Sequence, residues 1–204
     1  MAQAENKKIG FLVSGRGSNM AAVLEEIAAG RLAAEARVVI SDNPEAPALA
    51  LAAGRGLAAV VIERKDFPGR HEFEEALVRA LKEREADLVV LAGFMRLVGP
   101  TLLSAFPGRI INIHPSLLPS FPGLEAQRQA LEHGVRIAGC TVHYVNEVMD
   151  GGRIIAQAAV PVEPDDTVES LSARILAQEH RLLSRAIAAL PGLVQNPGAP
   201  QRKD

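Results

Sequence analysis

Apolar and polar positions along the chain follow two patterns in turn, one typical of β-strands and one typical of α-helices. Short β-rich runs alternate with longer segments in which apolar residues recur at helical spacing. This alternation is typical of strand–helix–strand units, which form a largely parallel sheet with helices on both faces. The pattern predicts strands at 9–14, 36–41, 58–62, 88–92, 109–114, 139–145 and 153–160. Helices are predicted at 18–29, 47–55, 69–85 and 124–134, with a last one that ends near Leu190.

The two ends of this pattern carry additional signals. Asp166 followed by Glu169 matches a capping box at the start of the last and longest helix. The last two strands are joined through NEVMDGG, which is too short to contain a crossover helix, so we predict that they pair antiparallel. The expected fold class is therefore α/β, with a mostly parallel, mixed seven-stranded sheet.

Length and composition restrict the domain organisation and the class of partner. The 204 residues fit one domain, which we place at 1–190, and the Pro-, Gly- and polar-rich segment 191–204 is predicted to be a disordered tail. Because 22 basic residues face 24 acidic ones, and the chain has one Tyr and no Trp, we expect no nucleic-acid partner. We also expect no membrane insertion, since no apolar run is long enough. Cys140, the only cysteine, lies in an apolar run, which favours a cytoplasmic protein with an inert thiol.

A glycine-rich segment, SGRGSN at 14–19, connects the first predicted strand to the first predicted helix. Backbone amides of such a turn and of a helix start form a suitable anion site. The segment fits neither the dinucleotide pattern, which needs a glycine where Met20 stands, nor the ATP phosphate-loop pattern, which needs a lysine after the glycine. A phosphate-bearing substrate is the favoured interpretation. The alternative is a tight turn in which Ser18 only caps the helix.

Asn112 and His114 lie two positions apart at the end of a predicted strand, so their side chains point to the same face. An imidazole and a carboxamide side by side can stabilise an oxyanion and transfer a proton, as acyl transfer to an amine requires. The alternative is a structural histidine. A hydrolase using Ser116 is a weaker interpretation, because no Gly-x-Ser-x-Gly turn is present. The other histidines are less suited to this chemistry: His71, His133, His143 and His180 are predicted on helices or within a strand.

Asp150 precedes a double glycine in the turn between the last two strands. A carboxylate close to His114 would favour the imidazolium form and could hold a water molecule for proton transfer. Spacing alone favours the simpler interpretation, in which Asp150 forms the turn. No metal site is expected, since no two histidines stand at ligand spacing and Cys140 has no companion.

Four segments together carry a resemblance to a known family: VSGRGSN, LAGFMRLV, INIHPSLLPSFPG and GCTVHYVNEVMDGGRIIAQ. They resemble the phosphoribosylglycinamide formyltransferases, folate-dependent enzymes of purine synthesis with a Rossmann-like fold, over about residues 9–190. The resemblance implies 10-formyltetrahydrofolate as co-substrate, 5-phosphoribosylglycinamide as acceptor, and a monomer or homodimer. Asn112, His114 and Asp150 would be catalytic, and they are shared with the wider folate-dependent formyltransferase group.

The resemblance also implies two sets of binding residues. The acceptor would contact Gly17, Ser18, Asn19, Met20 and Glu179, and the folate would contact Arg70, Met95, Arg96, Leu97, Val98, Asn112, Asn146, Glu147, Val148, Met149 and Asp150. Without the resemblance, Arg70 and Arg96 would be interpreted as solvated surface charges, and Glu179 as an ordinary polar-face residue. Arg16 stands where relatives often have Asn. Two rival functions stay open: formylation of an amino sugar nucleotide, and nucleotide binding without catalysis.

Overall fold

The computed structural model describes residues 6–190, whose strands form one seven-stranded sheet. The strands are β1 (Lys7–Val13), β2 (Ala34–Ser41), β3 (Ala59–Val61), β4 (Leu88–Leu91), β5 (Ile110–His114), β6 (Ile137–Tyr144) and β7 (Ile154–Pro161). Their order across the sheet is β3-β2-β1-β4-β5-β6-β7. The predicted α/β class and all seven predicted strands are confirmed. The tail predicted at 191–204 lies outside the described residues.

The sheet is parallel from β3 to β5, and β6 runs opposite to both of its neighbours. The predicted antiparallel pairing of β6 with β7 is confirmed. The antiparallel pairing of β5 with β6 was not predicted, because a helix lies between these strands in the chain and such a connection usually joins parallel strands.

Within residues 6–190, five α-helices connect the strands and a sixth follows β7. They are α1 (Ser18–Ala28), α2 (Pro47–Ala53), α3 (Arg70–Glu83), α4 (Pro100–Ala105), α5 (Ala126–His133) and α6 (Val168–Ala189), with a short 3₁₀ helix at Arg64–Asp66. The pattern missed α4 and the 3₁₀ helix, which are too short to show a periodicity. Pro100 stands at the start of α4, where its missing N–H removes no helical hydrogen bond. Within residues 6–190 no helix combines the length and apolar character that crossing a membrane requires.

The start of α6 differs by one residue from the prediction. Thr167 is the N-cap and forms a capping box with Ser170, so the expected pair of Asp166 and Glu169 is wrong. Asp166 instead accepts two hydrogen bonds from Arg174, at 2.6 and 2.9 Å. The Arg174 guanidinium and the Ser170 hydroxyl hold the pKa of Asp166 well below its usual range.

Two apolar clusters cover the two faces of the sheet. Buried residues of α1, α2, α5 and α6 belong to one cluster, and those of α3 and α4 belong to the other. In β5, Ile111 and Ile113 belong to the first cluster and Ile110 to the second. Since side chains alternate along a strand, Asn112 and His114 lie on the same face as Ile110, the one that α3 and α4 cover.

Candidate active site

The ring of His114 lies at the end of β5 with an acceptor near each nitrogen. Its side chain is 7% exposed; Nε2 is 2.9 Å from the Phe121 carbonyl oxygen, and Nδ1 is 3.4 Å from Asp150 Oδ2. A carbonyl oxygen can only accept, so Nε2 carries a proton, and Nδ1 faces a carboxylate. Each ring nitrogen therefore faces an acceptor. The separation of 3.4 Å at Nδ1 is long for a hydrogen bond, so this nitrogen is only weakly engaged.

Asp150 is held in place from several directions. Its Oδ2 accepts a hydrogen bond of 2.8 Å from the Gly123 N–H, and its Oδ1 lies 3.6 Å from His143 Nε2. Burial alone would raise the pKa of the Asp150 carboxyl, but the contact with His143, the Gly123 N–H and the nearby His114 together hold this pKa below its ordinary value. Asp150 is therefore a carboxylate at neutral pH.

The backbone of the turn fixes where this carboxylate stands. Asp150 has a φ of 51°, in the left-handed region that Asp tolerates better than most residues. Gly152 follows two positions later, where any Cβ would overlap the Tyr144 carbonyl oxygen. A glycine is thus required for the chain to enter β7 close to β6. The predicted role of Asp150 as a turn former is correct, and it coexists with the contact to His114.

His143 is a member of this cluster that sequence reasoning missed. It stands directly opposite Asn112 in the antiparallel register of β5 and β6, so both side chains share one face. Its Nδ1 donates to the Tyr144 carbonyl at 2.9 Å, and its Nε2 is 3.2 Å from Asn112 Nδ2. His143 Nε2 thus lies between the Asn112 amide and the Asp150 carboxylate, and the contact with it orients the Asn112 side chain. One N–H of Asn112 is then fixed, and the second remains available for a ligand.

The glycine loop opens α1 in the way that an anion site requires. Gly17, at a φ of 72°, is the N-cap, and among residues 6–190 no side chain caps this helix. The alternative in which Ser18 acts as the cap is therefore wrong. An uncapped start leaves the first N–H groups of α1 open to a ligand. Arg16 is exposed.

The predicted acceptor residues Asn19 and Glu179 are brought together from opposite ends of the chain. Asn19 Nδ2 donates to Glu179 Oε2 at 2.9 Å, and Glu179 is 6% exposed. Burial raises the pKa of Glu179, and the Asn19 hydrogen bond offsets part of this effect. Asn19 Oδ1 is buried without a partner among the described residues. Met20 is completely buried in the apolar core, so only its backbone could reach a ligand.

The predicted folate residues 95–98 form a loop after β4, which we call the 95–98 loop. Met95 and Leu97 are 69% and 63% exposed, which is unusual for large apolar side chains. Arg70 Nη2 donates to the Leu97 carbonyl at 2.8 Å. Arg96 forms an ion pair with the buried Asp42. The two arginines are thus bound to protein groups and are not freely solvated, which corrects the interpretation from the residues alone.

A hydrogen-bond chain connects this loop to the glycine loop. The Ser14 hydroxyl accepts from the Met95 N–H at 2.9 Å and donates to Asp42 Oδ1 at 2.6 Å. The same carboxylate pairs with Arg96. The two loops therefore share one buried carboxylate, Asp42.

The remaining predicted folate residues, Asn146 to Met149, are exposed on the turn before Asp150. The Asn146 side chain accepts from the Val148 N–H at 3.0 Å and so shapes the turn. His114, His143 and Asp150 are residue types that bind metals, but within residues 6–190 no set of three His, Cys, Asp or Glu side chains has a metal-holding arrangement.

Comparison with known proteins identifies the family. Residues 7–187 match the family described as formyl transferase. The chain belongs to the formyl transferase family. This assignment agrees with the resemblance found in the sequence motifs, and it makes the Asn112–His114–Asp150 cluster the candidate active site of a formyl transferase.

Several relatives of this formyl transferase are known. It is 42% identical over 187 residues to the phosphoribosylglycinamide formyltransferase of Bacillus subtilis, covering 92% of this chain and 96% of that protein. It is 44% identical over 192 residues to the trifunctional purine biosynthetic protein adenosine-3 of Drosophila melanogaster, covering 93% of this chain but only 14% of the longer protein. The crystal structure of glycinamide ribonucleotide transformylase 1 from Symbiobacterium toebii has a TM-score of 0.90 and 53% identity, covering 91% of this chain and 88% of that one.

Proposed function

We propose that the protein transfers the formyl group of 10-formyltetrahydrofolate to the amine of 5-phosphoribosylglycinamide, giving the N-formyl product and tetrahydrofolate in purine synthesis. The observation that carries this proposal is the convergence of Asn112, His114 and Asp150 in a formyl transferase. The relatives named as phosphoribosylglycinamide formyltransferase support the choice of acceptor.

The reaction is a direct acyl transfer. The acceptor amine attacks the formyl carbon, and the C=O electron pair moves onto oxygen to give a tetrahedral oxyanion. The free N–H of Asn112 and the weakly engaged Nδ1–H of the His114 imidazolium stabilise this oxyanion. The attacking nitrogen loses a proton, the bond from the formyl carbon to N10 of the folate breaks, and N10 gains a proton. Asp150 sustains the charge on His114 and relays these protons through water.

The acceptor is held by its phosphate and by its polar groups. We place the phosphate at the uncapped start of α1, at Gly17, Ser18 and Asn19, where backbone N–H groups and the helix dipole favour an anion. The backbone of Met20 continues this site. Glu179, fixed by Asn19, accepts from hydroxyl or amine groups of the same substrate.

The folate is held on the other side of the cluster. Met95, Leu97 and Val98 offer an apolar surface to its ring system, together with the exposed turn at Asn146, Glu147, Val148 and Met149. Arg70, which is half-exposed, and Arg96 supply positive charge for the carboxylates of the folate tail. No metal ion takes part in this mechanism.

The net charge of the chain and its single cysteine support the proposed partners and compartment. With a formal net charge of −2 we expect no nucleic-acid partner, and the proposed partners are the two small molecules, whether the protein acts as a monomer or as a homodimer. Burial raises the pKa of the Cys140 thiol to about 12, which suits a protein that works in the reducing cytoplasm with an unreactive cysteine.

The experiment that tests this function compares acceptors. Release of tetrahydrofolate from 10-formyltetrahydrofolate is measured with 5-phosphoribosylglycinamide, with an amino sugar nucleotide, and with water alone. We expect release only with the first, together with one equivalent of formylated product. Equal release in water would identify a hydrolase, and release only with the amino sugar nucleotide would identify a different acceptor.

A further inference from the structure

Glu74, on α3, is a buried carboxylate that no step of the proposed reaction uses. It is 2% exposed, and ionisable side chains are rarely buried to this extent without a specific set of partners. Its Oε1 accepts from the Gly99 N–H at 2.5 Å and from Arg70 Nε at 3.1 Å, and its Oε2 accepts from the Leu102 N–H at 3.2 Å. Three donors from two parts of the chain therefore meet on one carboxylate.

Two of these donors belong to the start of α4. Gly99 is the N-cap of this helix and has no side chain, so it cannot make the usual N-cap hydrogen bond to the third residue, Leu102. In a capping box, two side chains of the same helix satisfy the N-cap and N3 amides. Here Glu74 satisfies both amides from a different helix. It thereby fixes the position at which the 95–98 loop enters α4.

The third donor, Arg70, extends this control into the loop itself. While Nε is bound to Glu74, Nη2 of the same guanidinium donates to the Leu97 carbonyl at 2.8 Å. One carboxylate thus determines the orientation of Arg70, the path of Leu97 and the start of α4. These are the groups on which the proposed folate site is built.

We propose that Glu74 is a positioning residue for the folate, which shapes the 95–98 loop and orients Arg70 without touching either substrate. This inference rests on the proposed function, because it assumes that the loop binds the folate. It predicts a specific defect in folate binding, whereas a residue that only stabilises the fold would affect both substrates or neither.

Gly99 gives an independent way to disturb the same cluster. A Cβ at this position would lie 2.5 Å from Glu74 Oε1 and 2.6 Å from Arg70 Nε. The backbone there is extended, with a φ of −107°, so alanine is acceptable to the main chain and acts only by displacing these two side chains. Gly99→Ala and Glu74→Gln should therefore have the same effect, a loss of folate binding with little change in acceptor binding.

The test measures binding of 10-formyltetrahydrofolate by calorimetry, with kcat and both KM values from the transfer assay. In Glu74→Gln an amide N–H₂ replaces one acceptor oxygen and faces donors only, so we expect the Kd and KM for the folate to rise about tenfold. The KM for the acceptor should change less than about twofold, and Gly99→Ala should reproduce this pattern.

Asp166→Asn is the matched control. The Asp166 side chain is also a buried carboxylate that accepts from an arginine and a backbone N–H near the start of a helix, but it lies between β7 and α6. We expect this variant to lower the melting temperature and to leave folate affinity at the wild-type value. A similar loss of folate affinity in the control would mean that any weakened helix start has this effect, which overturns the inference.

The outcomes separate the two proposals. The role of Glu74 is overturned if folded Gly99→Ala binds the folate with wild-type affinity. It is also overturned if the KM values for the folate and the acceptor rise equally in the variants. If Glu74→Gln does not fold, Gly99→Ala alone decides the question. Folate binding without transfer to 5-phosphoribosylglycinamide overturns the acceptor assignment alone. A wild-type protein that binds no folate overturns both.

Discussion

The candidate catalytic cluster, made of Asn112, His114, His143 and Asp150, and the 95–98 loop contrast in how their residues are held. Asn112, His114 and His143 are strand residues whose positions follow from the register of β5 and β6, and only Asp150 comes from a turn. In the 95–98 loop, by comparison, Met95 and Leu97 are exposed to solvent. The loop is held by two buried carboxylates, Asp42, which pairs with Arg96, and Glu74, which accepts from the Gly99 N–H. The sheet positions the proposed reacting groups, and polar contacts outside the sheet position the proposed folate-binding surface.

This difference implies two kinds of mutational effect. A change in the strand-built cluster leaves binding surfaces in place and should mainly lower kcat. A change in the carboxylates behind a loop leaves the reacting groups in place and should mainly raise a KM. The following variants test that separation, from the largest expected effect to the smallest.

Asp150→Asn and His114→Ala should lower kcat about 10²–10⁴-fold, the range typical for loss of a group that transfers protons or stabilises an oxyanion. Asparagine tolerates the positive φ of Asp150, so the turn should persist. Steady-state kinetics measures the loss, and circular dichroism checks the fold. Near wild-type kcat in both folded variants would remove these residues from the mechanism.

The pH dependence of the wild-type protein tests the same cluster. The folded-state pKa of Asp150 lies below its ordinary value, so its favourable contacts are present above the unfolded pKa and are lost as the pH falls through the lower folded value. Activity that depends on the carboxylate should decline on the acid side, and Asp150→Asn should lack this limb. An unchanged acid limb in the variant would assign it to another group.

His143→Ala should lower kcat about tenfold with little change in either KM, because the Asn112 amide loses the acceptor that fixes its orientation. His71→Ala, which removes an exposed imidazole on α3, is the control and should retain wild-type kcat. A KM effect in His143→Ala larger than its kcat effect would place His143 in binding and contradict the proposed orientation of Asn112.

Glu179→Gln should raise the acceptor KM about fivefold, since a neutral amide is a weaker acceptor than a carboxylate. The same variant should be more stable than the wild-type protein, although it binds the acceptor less well. The pKa of Glu179 is raised in the folded state, so the wild-type protein loses stability as the pH rises from the ordinary value through the raised one. The variant lacks this loss and should have the higher melting temperature at neutral pH, measured without ligands. A lower melting temperature there would contradict the burial argument.

Ser14→Ala should have the smallest effect, a rise of about threefold in the folate KM, because the Met95 N–H loses one neutral acceptor while the Arg96–Asp42 pair remains. A change in the acceptor KM alone would instead place Ser14 with the glycine loop.

Sequence reasoning succeeded where local geometry is sufficient. The alternation of side chains along a strand placed Asn112 and His114 on one face, and the double glycine marked the turn at Asp150. The meeting of Asp150 with His114 was implied only by the family resemblance, because spacing along the chain does not determine contacts between distant segments.

The missed residues depend on pairings that local patterns do not contain. His143 joins the cluster only because β6 runs antiparallel to β5, and the intervening helix α5 suggested a parallel connection. Glu74 has the helical position of an ordinary polar residue, and its burial results from α4, a helix of six residues that was too short to predict. Thr167 caps α6 in place of Asp166, because the Asp166 carboxylate binds Arg174, eight positions further along the chain, and spacing within one helical turn does not show this contact.

Cys140 gives this protein a built-in reporter of unfolding. It is the only cysteine in the chain, it is completely buried in the middle of β6, and its thiol has a pKa of about 12. A thiol reagent can therefore react only when the sheet opens around β6. The rate of labelling measures that opening, and its slowing by either substrate reports binding without catalysis. One assay can thus verify the fold and the ligand affinity of every variant above, including those that have lost all activity.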